Sequence, residues 1–402
     1  MTATPGVRMS ALRAMLVLGL LEAFGPLSMD LYLPLLPQLG TELGVSDTLA
    51  QATMSACMIG LGLGQLVAGP LSDRFGRRRP LMIGVAGFAV LSAACALAPT
   101  VEALLVARFL QGMAGSAGIV IALAVARDLF QGVELSRMLS LLMLVSGLAP
   151  IVAPLLGGQL AYLMDWRGIF WVLGGVGVAL LALVVFALPE TLSPEARHAG
   201  GVAELGGHVR EVVTDRLFVT VLLAGAASGV AFFAYLSMSS FVLQGEFGLT
   251  PQAFSLVFAG NAVASIGGGQ LSRVLVVRLG PLRIYLTGVT ATFCATALLL
   301  TLCLGGAGVA GVIVALVAFM FLGGTSGPNG STLALSRHGA RAGTASALLG
   351  TSMYVVGPVV APLAALGGAS ALTMAVTMAA AATLAAAIAW LGVRPAARAA
   401  RP

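Results

Sequence analysis

Apolar runs of about 20 residues, parted only by short turns that hold the charges, follow one another along almost the whole chain. Twelve can be delimited, at roughly 12–36, 50–70, 80–98, 102–125, 138–162, 169–188, 217–241, 252–275, 283–304, 309–330, 343–367 and 370–392. Each is long enough to cross the hydrocarbon core of a bilayer as a helix, and backbone placed there must hydrogen-bond to itself. The expected fold is an all-α membrane protein with 12 transmembrane helices. Only 9% of the residues are charged, against roughly 25% in a soluble domain, so the chain cannot cover a water-facing surface. That excludes a single soluble domain, a disordered chain and a nucleic-acid binder. The first run is too long for a cleaved signal peptide, and it continues through Glu22 and Asp30.

All 21 basic residues are arginine, and their positions orient the chain. With the N-terminus inside, Arg8 and Arg13 precede the first span, and Arg74, Arg77, Arg78 and Arg79 fill the loop between spans two and three. The remaining arginines also fall in inner segments, His198, His208 and His338 lie there too, and only Arg108 and Arg167 lie elsewhere. Glu42, Asp47, Glu102, Asp165 and Glu246 fall on the other side. This asymmetry predicts cytoplasmic termini and accounts for the net charge of +6 without a polyanionic partner. Cys57, Cys95, Cys294 and Cys303 sit in apolar runs without metal-ligand spacing and read as buried thiols.

The longest polar connection separates two sets of six spans, predicting bundles over 1–190 and 216–402 joined by a cytoplasmic linker over 191–215. Two strings repeat between the sets. Gly69-Pro-Leu-Ser-Asp73 after span two recurs as Gly269-Gln-Leu-Ser-Arg273 after span eight, and Ala149-Pro150-Ile-Val-Ala-Pro154 in span five recurs as Gly357-Pro358-Val-Val-Ala-Pro362 in span eleven. Each repeat links span n to span n + 6, so the halves are parallel, as in one large transporter class.

The string Gly69-Pro-Leu-Ser-Asp73-Arg74-Phe-Gly76-Arg77-Arg78-Arg79 resembles motif A of the major facilitator superfamily. Arg108-Phe-Leu-Gln111-Gly112 resembles its fourth-span motif. Ala153-Pro154-Leu-Leu-Gly157-Gly158 resembles the fifth-span antiporter motif, with Ala153 where glycine is usual. Pro26-Leu-Ser-Met-Asp30-Leu-Tyr32-Leu-Pro34, with Arg127-Asp128-Leu-Phe after span four, is similar to the Bcr/CflA group of bicyclomycin and chloramphenicol exporters. The resemblance implies proton-coupled multidrug efflux by alternating access. It also implies that Asp73 acts at the N-terminus of span eleven, near Gly343, where a helix dipole favours an anion. Arg77 and Asp128 would extend that contact into a charge relay for gating.

Ionisable groups inside spans are expensive and mark functional sites. Glu22 and Asp30 in span one and Arg108 in span four are the three candidates, with Glu22 as coupling-proton carrier and Asp30–Arg108 as an ion pair that tunes it or merely joins the spans. Pro26 and Pro34 each follow an acid by four residues, which frees that acid's carbonyl from helix bonding. Pro150, Pro154, Gly157 and Gly158 permit close packing of span five on span eight, where Gly267, Gly268 and Gly269 offer a smooth face. Tyr32, Tyr235, Asn261, Asn329 and Tyr354 are candidate pocket residues, although such tyrosines also serve interfacial belts and such asparagines join helices. No metal-ligand set, G-x-S-x-G string or Walker loop is present, so neither an enzyme nor a cofactor is expected. The expectation is a monomeric exporter in the bacterial inner membrane, driven by the proton gradient, whose partners are drug, protons and lipid. The alternative is a proton-coupled exporter of an endogenous metabolite.

Overall fold

In the computed structural model, which describes residues 11–194, 197, 210–338 and 342–399, the apolar runs are helices. They are α1 (Ala11–Asp30), α2 (Asp47–Phe75), α3 (Arg78–Ala96), α4 (Val101–Leu129), α5 (Gly132–Leu160) and α6 (Trp166–Ala187). After the polar connection come α7 (Arg216–Ser240), α8 (Pro251–Leu279), α9 (Pro281–Leu304), α10 (Val309–Leu335), α11 (Ala342–Ala364) and α12 (Ala371–Ile388). Short polar side chains start many of them by accepting orphan N–H groups. Asp165 accepts from Gly168 at 2.9 Å, Asp215 from Leu217 at 2.9 Å, and Ser370 from Thr373 at 3.1 Å. Among the described residues, eleven segments are long and apolar enough to cross a membrane. The twelfth helix, α8, is diluted by Asn261, Gln270, Arg273 and Arg278. Large apolar side chains such as Phe186 (82% exposed) and Val277 (86%) point away from the protein, as suits a chain whose solvent is lipid.

The first span is longer than the run at 12–36 suggests, and it is broken. Helix α1 continues through Pro26 but stops at Asp30; a 3-10 turn (Leu33–Leu35) and a short helix (Leu36–Leu43) complete the crossing. Pro34 has no N–H to offer the Asp30 carbonyl, which helps end α1 there. Such a break is tolerated at membrane depth where neighbouring groups satisfy the freed carbonyls.

The chain divides near residue 200 into two compact units, with Ser46–Gln51 grouped with the second. In the first, α1 packs on α4, α5 and α6, and α3 packs on α4 and α6. In the second, α7 packs on α11 and α12, α9 on α10 and α12, and α8 on α10. The pairings recur six helices apart, and one recurs residue by residue. A Cβ on Gly60 of α2 would overlap the Phe109 carbonyl, and one on Gly112 of α4 would overlap the Cys57 carbonyl. In the second unit a Cβ on Gly268 of α8 would overlap the Phe321 carbonyl, and one on Gly324 of α10 the Ser265 carbonyl. Reciprocal glycine contacts let two backbones touch where lipid gives no hydrophobic reason to associate.

Gly268 packs on α10 of its own unit, and Gly157 of α5 packs on α1, where a Cβ would overlap the Leu31 carbonyl. The cysteines differ from expectation: Cys57 and Cys95 are buried, but Cys294 is exposed on α9 and Cys303 half-buried, all four as free thiols. A small apolar thiol is at home against lipid as well as in a core. Arg8, Arg341, Arg401, His198, His208 and most of the connection 191–215 lie outside the described residues.

Candidate functional site

The break after Asp30 builds the innermost charged site. Ser28 is one of the last residues of α1, so its carbonyl lacks a helical partner. Arg108 Nη1 donates to it at 3.2 Å. The same nitrogen donates to Gln111 Oε1 at 2.6 Å, and Nε donates to the Thr53 carbonyl at 3.4 Å. The guanidinium carbon lies 4.6 Å from the Tyr32 ring centroid and 5.3 Å from that of Phe170. A cation at a helix C-terminus, between two aromatic faces, is stabilised by the dipole and both ring quadrupoles. Gln111 is held in turn, its Nε2 donating to Ser92 Oγ at 2.7 Å. In the Arg108-x-x-Gln111-Gly112 string, Arg108 therefore carries the charge, Gln111 fixes it from one turn away, and Gly112 admits α2.

The ion pair between Asp30 and Arg108 is not formed: among the described residues no ion pair involves either of them. The Ser28 carbonyl freed at the end of α1, the Thr53 carbonyl of α2 and Gln111 take the guanidinium in place of the carboxylate. Asp30 is buried at the helix terminus, and Arg108 Nη2 is buried without a hydrogen-bond partner. Glu22, two turns earlier on α1, accepts from Ser146 Oγ of α5 at 2.6 Å through Oε1, and its Oε2 is buried without a partner. Ser146 and Gln111 had no assigned role in the sequence, since a single hydroxyl or amide in an apolar run gives no periodic signal.

At the helix ends carrying the arginine-rich loop, Arg77 is a hub. It forms an ion pair with Asp73, donates from Nε to Asp128 Oδ2 at 2.9 Å, and donates to Ser72 Oγ at 2.9 Å. Burial works against its charge, but hydrogen bonds to Asp128 and Asp73 outweigh it and hold the guanidinium above its usual range. Glu190, just past α6, accepts from the backbone N–H of Arg77 at 2.8 Å and of Arg78 at 3.2 Å, a carboxylate capping the start of α3. Thr191 Oγ1 donates to Asp128 Oδ2 at 2.9 Å. Gly76 has φ +90, and a Cβ there would strike the Glu190 carboxyl, so glycine is required twice over. The structure brings Asp73, Arg77 and Asp128 together as the motif implies and adds Glu190 and Thr191, which look like the start of a linker in the sequence.

The second unit holds a cavity of about 630 Å³ between α7, α8, α9, α10, α11 and α12. Tyr235, Asn261, Asn329 and Tyr354 do not line it. Tyr235 Oη accepts from Asn261 Nδ2 at 3.0 Å and its ring stacks on Phe258. Asn329 donates to Ser272 Oγ at 2.6 Å. In the first unit the Tyr32 hydroxyl lies 3.3 Å from Thr53 Oγ1. Pro150 and Pro154 lie inside α5, with Gly157 and Gly158 buried in its last turn.

Twelve long helices in two units with matching internal contacts define a secondary-transporter fold. Residues 18–362 match the major facilitator superfamily, and the chain belongs to it. It is 37% identical over 364 residues to the uncharacterised MFS-type transporter YdgK of Bacillus subtilis (strain 168), covering 89% of this chain and 90% of that protein. It is 29% identical to the bicyclomycin resistance protein homolog of Haemophilus influenzae, covering 87% and 88%. Among solved structures, a bacterial homologue of the human lysosomal transporter Spinster, inward-facing and occupied, superposes with a TM-score of 0.75 over 97% of this chain and 98% of that one, at 18% identity. The resemblance to the Bcr/CflA group is borne out, and the protein is a multi-pass membrane transporter rather than an enzyme.

Proposed function

We propose that this chain is a proton-coupled exporter of antibiotics and other drugs, acting as a monomer in the bacterial inner membrane with both termini in the cytoplasm. The observation that carries the reading is the state of α1: two carboxyls, Glu22 and Asp30, stand in one membrane helix, and no cation pairs with either among the described residues. A carboxyl without a fixed counter-ion can trade its charge between a proton and a ligand, and exclusion of one by the other is the simplest form of antiport. Glu22 is the primary carrier, since Oε2 is unengaged while Ser146 orients Oε1. Arg108, which carbonyls and rings hold in place, does not itself move a charge. The Asp73–Arg77–Asp128 cluster with Glu190 ties the ends of α2, α3, α4 and α6 together, so its substitution acts on switching rather than on the pocket.

The driving force is adequate. A proton moving down 100 mV and one pH unit releases about 3.7 kcal/mol, enough to sustain a drug gradient of a few hundredfold. The bicyclomycin-resistance relative supports antibiotics as the substrate class. The test is a growth-inhibition panel in an efflux-deficient host that expresses either the wild type or Glu22→Gln. Protection by the wild type alone supports the reading; no protection against any drug, or equal protection by both proteins, overturns it.

A further inference from the structure

The cavity of about 630 Å³ inside the second unit is within the range of small-molecule sites, and none of its lining residues is charged. Its walls are mainly apolar, with Phe232, Phe319, Met320 and Met353 among them. Six serine and threonine hydroxyls also line it; four donate within their own helix, Thr292 to the Gly288 carbonyl, Ser326 to Gly323, Ser331 to Gly327 and Ser352 to Leu349, and Ser228 and Ser265 are the other two. Among the lining residues, Tyr285 alone has a hydroxyl that is both buried and unpartnered. It lines the cavity, is 4% exposed, and its hydroxyl is buried with no hydrogen-bond partner. A buried donor without an acceptor is a standing penalty that a ligand can remove. Gly330 lets the Tyr285 ring stand where it does, since a Cβ there would come within 3.0 Å of ring carbon Cε2.

We propose that this cavity is a binding site for neutral, largely apolar small molecules bearing a carbonyl or similar acceptor, which Tyr285 recognises by donating its hydroxyl proton. No lining residue carries a charge that would pair with a cation or an anion. The site's part in export rests on the function proposed above; the binding does not. It gives the transporter a way to take uncharged drugs that the carboxyls of α1 do not recognise.

Benzophenone is a suitable probe: it is neutral and apolar, has one carbonyl acceptor, and on irradiation labels nearby methionines. The protein is placed in nanodiscs of phosphatidylethanolamine and phosphatidylglycerol, irradiated with increasing benzophenone, and adducts are mapped by mass spectrometry. Met320 and Met353 should label saturably, and Met143, 77% exposed in the first unit, only in proportion to probe in the lipid. Gly323→Leu fills the cavity, since a Cβ at Gly323 meets nothing within 4 Å, and it should cut labelling of both methionines at least about tenfold. Tyr285→Phe, which keeps the ring, should weaken half-saturation about three- to tenfold. Labelling of Met320 and Met353 no more saturable than that of Met143, or unchanged in Gly323→Leu, overturns the site. Unchanged half-saturation in Tyr285→Phe overturns acceptor recognition and points to a lipid chain as the occupant. Glu22→Gln should label like the wild type. Lost export there with intact labelling supports both proposals; intact export there overturns the exporter mechanism alone.

Discussion

Arg108 sits in an apolar interior without a carboxylate because the chain supplies neutral electron-rich partners: two carbonyls, an amide oxygen and two ring faces. Truncating it strands those acceptors and opens a void, so Arg108→Ala should lose about 2–4 kcal/mol of stability, read as a lower Tm in detergent. Arg108→Lys keeps the charge but not the fork that reaches Ser28 and Thr53 together, and should fall between the two. Equal Tm values for Arg108→Ala and the wild type would contradict this packing role. Sequence alone identified Arg108, Glu22 and Asp30, because charge inside an apolar run is conspicuous. It paired Asp30 with Arg108 by depth, and depth was the wrong guide: the helix stops at Asp30, and a helix end offers carbonyls that a continuous helix would not. Tyr285 was not legible at all. A tyrosine with a satisfied hydroxyl, like Tyr235 on Asn261, and one with an orphan hydroxyl have the same letter.

Among the elements, α2 and α4 carry the most exacting contact. Gly112→Val drives two methyls toward the Cys57 carbonyl and should destabilise the first unit by more than about 3 kcal/mol, read as loss of folded protein after extraction. Gly175→Ala in α6 is the contrast: a Cβ there meets nothing within 4 Å, so the helix should gain about 0.5–1 kcal/mol and the Tm should rise. The two results in reverse would refute the close approach. The loop before α3 behaves differently. Asp73→Asn removes an ion-pair partner of Arg77 that is itself 55% exposed, so folding and drug binding should persist while turnover slows several-fold. Binding lost in proportion to transport would show that the cluster shapes the pocket instead. The motif named three members of that cluster, whereas Glu190 and Thr191 escaped because their contacts reach back across more than 60 residues to groups that no local pattern links to them.

For the whole molecule, helix number and duplication were readable because the bilayer imposes one length and one polarity on every span, which few sequences satisfy by chance. The reciprocal glycine contacts of α2 with α4 and α8 with α10 were not, since glycine is common in this chain and only geometry picks out the pairs that touch. The arginine asymmetry also predicts sidedness. In a cysteine-free background, cysteine at Asp165 or Glu246 should react with an impermeant reagent from outside, and cysteine at Arg78 or Arg278 only after permeabilisation; the reverse pattern at any of these sites would overturn the orientation. The central claim is that drug and proton exclude one another on α1, and proton release tests it most directly. Purified protein in weak buffer with a pH indicator is mixed with a drug that the growth panel identifies. The account predicts prompt acidification with the wild type, none with Glu22→Gln, and partial release with Asp30→Asn; no release from the wild type, or full release from Glu22→Gln, would contradict it.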